Sequence, residues 1–247
     1  MKAIALGFFL HNYRRGPVLL IFLATAGLIV TSVDEYTAAS DLQLGDSWTS
    51  RLALWGSMVL LLTAVLQELP KEMSSRFHLI LLSKPIGRSG YLLGKLLGGY
   101  VFAIFWLTAL LLVSYGSLVF TCREVVPLMS NLIWPWVHYA LFLWLFCLIA
   151  VLAGAFLGEA FCIMAVSGFV ALSFGVGLLP ALLEASGISM VWLRVFYYAV
   201  PNFQYFGPSN FDQYDIFAPI CVALYIIGYS GLLLPWGLFR FERISFQ

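Results

Sequence analysis

Side chains able to do chemistry gather in one stretch, Glu68 to Lys95, which holds Glu68, Lys71, Glu72, Arg76, His78, Lys84, Arg88 and Lys95. Phosphate cradling would need G-x-x-x-x-G-K-[ST] between a strand and a helix. The nearest string, Gly90-Tyr91-Leu92-Leu93-Gly94-Lys95-Leu96, has a spacer one residue short. It also puts Leu96 where a hydroxyl should reach magnesium. A metal centre would need clustered ligands, but His11, His78 and His138 lie in different regions with no carboxylate at ligand spacing. His138, near the outer end of an apolar run, reads as a structural histidine. Cys122, Cys147, Cys162 and Cys221 are scattered, without a disulfide framework or a metal-ligand pattern, and there is no G-x-S-x-G. No catalytic residue, metal ligand or cofactor-binding residue is expected. The charged stretch is left with binding as its chemistry, toward anionic lipid or toward a soluble partner.

The elements that carry this stretch follow from composition. Apolar residues make up 62% of the 247 and charged residues 10%, against roughly 25% charged in a soluble domain. Mean hydropathy is +0.95. So few charges do not cover a water-facing surface, so the chain reads as an all-α integral membrane protein. The balance of 13 basic and 12 acidic residues argues against a nucleic-acid partner. A spanning helix needs about 20 apolar residues, and six stretches qualify: approximately 17–33, 52–68, 97–121, 132–157, 160–182 and 216–239. Continuous rather than alternating apolar runs favour helices over a barrel.

Residues 1–15, with Lys2 before an apolar run and His11, Asn12, Tyr13, Arg14 and Arg15 after it, lack a small-residue cleavage site. They read as an interfacial helix that turns into the first span at Gly16-Pro17. With six spans, Lys2, Arg14, Arg15, Lys71, Arg76, Lys84, Arg88, Lys95, Arg240 and Arg243 share one side, and Arg51, Arg123 and Arg194 the other. This bias puts both termini in the cytoplasm.

The cytoplasmic segment 69–96 reads as two helices around a break. Pro70 fits a first helical turn. Met73, Phe77, Ile80 and Leu81 then share a face, with Lys71, Ser75 and His78 turned away. Lys84-Pro85 stops that helix, and Ser89 is a candidate cap for the next. Such a hairpin either lies on the bilayer or offers a docking surface. On the other side, segment 183–215 reads as interfacial or re-entrant. Trp192 and Tyr197 suit an aromatic belt or an outer gate, with Pro201 at a break and Asn202 near an exit. Gly154 and Gly158 permit close helix packing, and Trp134-Pro135-Trp136 reads as an interface anchor. The spans contain almost no ionisable residue at mid-depth, which weighs against an ion-coupled carrier.

Glu68, Glu72 and Arg76, then Leu81-Leu82-Ser83-Lys84-Pro85-Ile86-Gly87-Arg88, then Tyr91-Leu92-Leu93-Gly94-Lys95 resemble the first cytoplasmic loop of type-2 ABC transporter permeases. The six-span layout, N-terminal surface helix and long outer segment before the last span are similar too. Tyr198 to Phe206 resembles the subgroup related to the permease of nitrous oxide reductase maturation. The resemblance implies one permease domain over 1–247, in a bacterial inner membrane. It would be an exporter subunit, with no catalysis of its own, paired with a second permease and docked to cytoplasmic ABC ATPase subunits that bind the ATP. It also implies ATPase coupling through Glu68, Lys71, Glu72, Arg76, Lys84 and Arg88, with Glu159 at a second contact and the first, second and fifth spans lining the pathway. A static, non-transporting assembly subunit with a lipid-binding basic loop is the alternative. The topology is checked with reporter fusions: green fluorescent protein after Gln247 should fluoresce, and alkaline phosphatase after Asp41 should be active.

Overall fold

In lipid, a backbone amide finds no water to bond, so each apolar run must satisfy its own N–H and C=O groups as a helix. The computed structural model describes residues 2–13, 15–36, 48–74, 87–121, 130–175 and 217–243. Every regular element among them is helical: α1 Lys2–Tyr13, α2 Gly16–Tyr36, α3 Trp48–Ser74, α4 Arg88–Thr121, α5 Ser130–Phe156, α6 Glu159–Gly175 and α7 Phe217–Arg243. Four of these, α3, α4, α5 and α7, are long and apolar enough to cross a membrane, and a fifth span results if α1 and α2 count as one broken element. The chain is a multi-pass helical membrane protein. Of the six expected spans, the first falls in α2. The fifth begins as α6, an apolar helix of 17 residues, and its remainder lies outside the described residues.

α4 is the centre of the bundle. It packs against α1, α2, α3, α5 and α7, whereas α6 touches α5 and α3 at the periphery. At 34 residues it is about 51 Å long, well beyond the roughly 30 Å of a hydrocarbon core. The turns carrying Arg88, Tyr91 and Lys95 therefore extend the helix before the 97–121 run. Burial follows the same order: 72% of the apolar stretch of α5 is buried but only 17% of that of α7. α2, α6 and α7 turn Leu20, Leu23, Phe161, Met164, Leu224 and Leu232 outward, as suits lipid or another membrane chain.

Between spans, where burial from water supplies little, polar links and close packing hold helices together. Trp136 Nε1 donates to Thr108 Oγ1 at 2.9 Å, and Trp144 Nε1 donates to Ser230 Oγ at 3.0 Å. The first ties α5 to α4 and the second ties α5 to α7, so Trp136 is an interhelical link rather than only an interface anchor. The hydroxyls of Thr25, Ser57 and Thr63 donate to carbonyls four residues back, at 2.7–2.8 Å, so each is satisfied within its own helix.

Three local details differ from the sequence expectations. α3 continues through Pro70 to Ser74 instead of a new helix starting there, because the last turn is held by side-chain contacts to α4 described below. α4 starts at Arg88, one residue before Ser89, with the Tyr91 N–H donating to the Gly87 carbonyl at 3.0 Å. The α5–α6 connection is only Leu157-Gly158, with the Cys162 N–H donating to the Gly158 carbonyl at 2.8 Å. Gly154 is where α5 meets α3, since a Cβ there would lie 3.1 Å from Val65 Cγ1, whereas at Gly158 it would meet nothing within 4 Å.

α1 meets α2 at 67° and lies along α4 through an aromatic seam. Phe9 sits 5.5 Å from Phe105, Tyr13 is 5.9 Å from Trp106, and Phe22 of α2 is 4.7 Å from Trp106, all within the range where ring pairs attract. The approach is closest at Gly98, where a Cβ would stand 2.8 Å from the Ala5 carbonyl oxygen and 2.9 Å from Ala5 Cα. Backbone atoms cannot step aside alone. Gly98→Val should therefore displace α1 and destabilise the protein by about 1–3 kcal/mol, while Gly116→Val on the same helix, with open space around it, should be close to neutral. Thermal unfolding in detergent, with thiol labelling of a cysteine placed at buried Asn12, reads both.

Candidate functional site

The feature that organises the Lys95 end of the bundle is a cation buried among apolar helices. Lys95 lies on α4, and its side chain is 7% exposed. An unpaired ammonium there would be strongly disfavoured, and α3 supplies the partners. Glu68 and Glu72 are four residues apart and so share one face. Lys95 Nζ donates to Glu68 Oε2 at 2.9 Å and to Glu72 Oε1 at 2.9 Å. The Glu68 side chain is 7% exposed and that of Glu72 18%, so Glu72 is the wetter of the two. The trio carries two negative charges and one positive.

Further groups close around it. Tyr91, one helical turn before Lys95, donates its Oη–H to Glu72 Oε2. The ammonium also lies over the Phe8 ring of α1, 5.2 Å from its centroid, and 5.8 Å from that of Tyr91, a favourable cation–π arrangement. His11 Nε2 stands 3.9 Å from Glu68 Oε1. Arg15 Nη1 donates to Gln67 Oε1 at 2.9 Å, and its Nη2 donates to His11 Nε2. Tyr91 stacks on Phe241 of α7, with centroids 6.3 Å apart, and Arg88 Nη1 donates to the Glu242 carbonyl at 3.0 Å. That last bond satisfies one of the carbonyls left open at the end of α7. Side chains of α1, α3, α4 and α7, with Arg15 from the junction between α1 and α2, thus meet in one polar knot.

The residues expected to couple to an ATPase divide accordingly. Glu68 and Glu72 turn inward onto Lys95, and Arg88 reaches across to α7. Lys71 is exposed on the last turn of α3, and Glu159 is exposed in the first turn of α6, where a carboxylate complements the helix dipole. Arg76 and Lys84 lie outside the described residues, as do Trp192, Tyr197, Pro201 and Asn202. Tyr91, His11, Arg15 and Gln67 were not legible as parts of a site. Lys95 carried the one available signal, a lysine inside a leucine- and glycine-rich run that needs acids to neutralise it. His138 is fully buried in α5, and among the described residues no three His, Cys, Asp or Glu side chains are placed to hold a metal ion.

A second feature is an apolar lateral groove of about 570 Å³, bordered by Trp55, Met58 and Leu62 of α3, Phe146 of α5, and Val166 and Val170 of α6. Its walls are almost wholly apolar, with Ser167 of α6 the one hydroxyl-bearing residue among those lining it.

No model of a known protein family matches the sequence, and no curated protein matches it.

The buried trio makes a quantitative prediction. Removing only the cation strands two carboxylates, so Lys95→Met should cost about 3–5 kcal/mol of stability. Combining it with Glu68→Gln and Glu72→Gln should restore most of the loss. Thermal unfolding midpoints of the single and triple variants in one detergent test this, and a single variant as stable as wild type would contradict the buried-charge reading.

Proposed function

We propose that this chain is the membrane-spanning permease subunit of a type-2 ABC exporter. It works beside a second permease in the bacterial inner membrane and is driven by separate ATPase subunits on the cytoplasmic side. The observation that carries the reading is the 68–95 stretch, whose wording resembles the permease coupling loop and whose two flanking helices are tied by the Lys95 trio. A soluble motor pulling on the segment between α3 and α4 needs both helices to respond together. A charge-assisted clasp at their ends supplies that stiffness. Exposed Lys71 and the basic residues Arg76 and Lys84 are the docking groups in this reading, and Glu159 provides a second contact. Glu68 and Glu72 then act by holding the helices rather than by touching the ATPase.

The remaining features support the same reading. α2, α3 and α6 correspond to the first, second and fifth spans that would line a pathway, and α3 and α6 already border the lateral groove. Its apolar walls suit a pathway opened by an external motor better than an ion-coupled carrier. The outward apolar faces of α2, α6 and α7 are available to a second permease and to membrane lipid. α1, with Leu6, Leu10 and Tyr13 outward, suits an interfacial helix. One observation favours the static assembly subunit instead: the acids in the loop motif are consumed by an internal pair and offer little to a docking partner.

Affinity purification of the tagged chain in mild detergent separates the two readings. A P-loop ATPase should co-purify in stoichiometric amount and be released by Lys71→Glu with Arg76→Glu. The monodisperse chain with no ATPase attached would reject the transporter reading.

A further inference from the structure

Pro70 lies between the two carboxylates that Lys95 holds, and this divides α3 into a fixed part and a releasable one. We propose that the last turn of α3, Lys71 to Ser74, is a hinged strap, closed onto α4 by Glu72 and opened about Pro70 while the Glu68–Lys95 pair stays made. Proline has no N–H, so the Leu66 carbonyl receives no helical bond from position 70, and the proline ring crowds that same carbonyl. The helix is weakest at this point. On the near side, Glu68 is as buried as Lys95, and Leu69 is fully buried. On the far side, Glu72 is tied to Lys95 and Tyr91, and partly buried Met73 packs against the core.

The charge count makes the strap releasable. Two carboxylates share one ammonium, so withdrawing Glu72 leaves a neutral Glu68–Lys95 pair instead of an orphaned cation. Glu72 is also the more exposed acid, and water can replace its partners as it leaves. Glu68 has no such exit, since removing it leaves Lys95 bound to the carboxylate on the mobile turn. The strap is a property of the chain itself, and only its use as a transport step rests on the permease reading.

Hydrogen–deuterium exchange on the full chain in lipid nanodiscs, with no partner added, tests the strap. In Glu72→Gln the amides of 71–74 should exchange about tenfold faster, the loss of roughly one charge-assisted hydrogen bond, while 52–67 keeps its protection. Tyr91→Phe, which removes a single hydroxyl, should give the same pattern more weakly, and Pro70→Ala should slow exchange over 71–74. Unchanged exchange at 71–74 in both Glu72→Gln and Tyr91→Phe would overturn the proposal. So would an equal rise along the whole of α3, which would make Glu72 an ordinary stabilising contact. Failure of an ATPase to co-purify leaves these exchange outcomes untouched, so the strap and the permease reading fail separately.

Discussion

A lysine ammonium removed from water must find negative charge close by, and most of the arrangement at one end of this bundle follows from that requirement at Lys95. Two glutamates one helical turn apart answer it, which sets the register of α3 against α4. The aromatic face of Phe8 completes the surroundings and brings in α1, while Tyr91 joins Glu72 to the ring of Phe241 on α7. Alternatives would be less stable: sliding α3 by a residue would carry both acids away from Lys95 and bury an unpaired charge. The continuation of α3 beyond a proline has the same origin, since contacts beyond Pro70 offset the missing backbone bond.

Elsewhere the bundle relies on shape and on tryptophan. In a bilayer, helices gain little by hiding leucine from lipid, so contacts that need defined geometry decide which helices pair. The glycine at position 98 lets the backbones of α1 and α4 meet, Gly154 lets the Val65 and Leu69 side chains of α3 lie against α5, and indole N–H groups cross between helices to hydroxyls. These devices lie along α4 and α5. The peripheral helices α2, α6 and α7 keep one side in contact with the bundle and leave the other apolar and outward, as suits an apolar surrounding.

The two functional readings differ in what the polar knot is for. A static subunit would use it as a weld. A driven permease would use it as a transmission, because a load applied between α3 and α4 would reach α1 and α7 through the same few side chains. The second carboxylate is where they part: a weld would keep Glu72 on Lys95, and a transmission would release it. Placing the second acid on the far side of a proline adds a position at which the helix can yield without stranding a charge.

Composition and apolar run length by themselves determined that the chain is helical and lives in a membrane, because amides in lipid must be satisfied within a helix or a closed barrel, and continuous apolar runs fit only the helix. They also located the start of α6 and the approximate extents of α3, α4, α5 and α7, since hydrophobic length is a one-dimensional property. Local sequence misjudged Pro70 and Ser89, where a breaker and a cap residue were outweighed by contacts from another helix. Only the tertiary structure decided that Glu68 and Glu72 face Lys95, that Arg88 closes the end of α7, and that His11 and Tyr91 belong to the same knot. Pairings between residues 19 to 154 positions apart leave no periodic trace in sequence. They exist because a buried charge selects its neighbours in space.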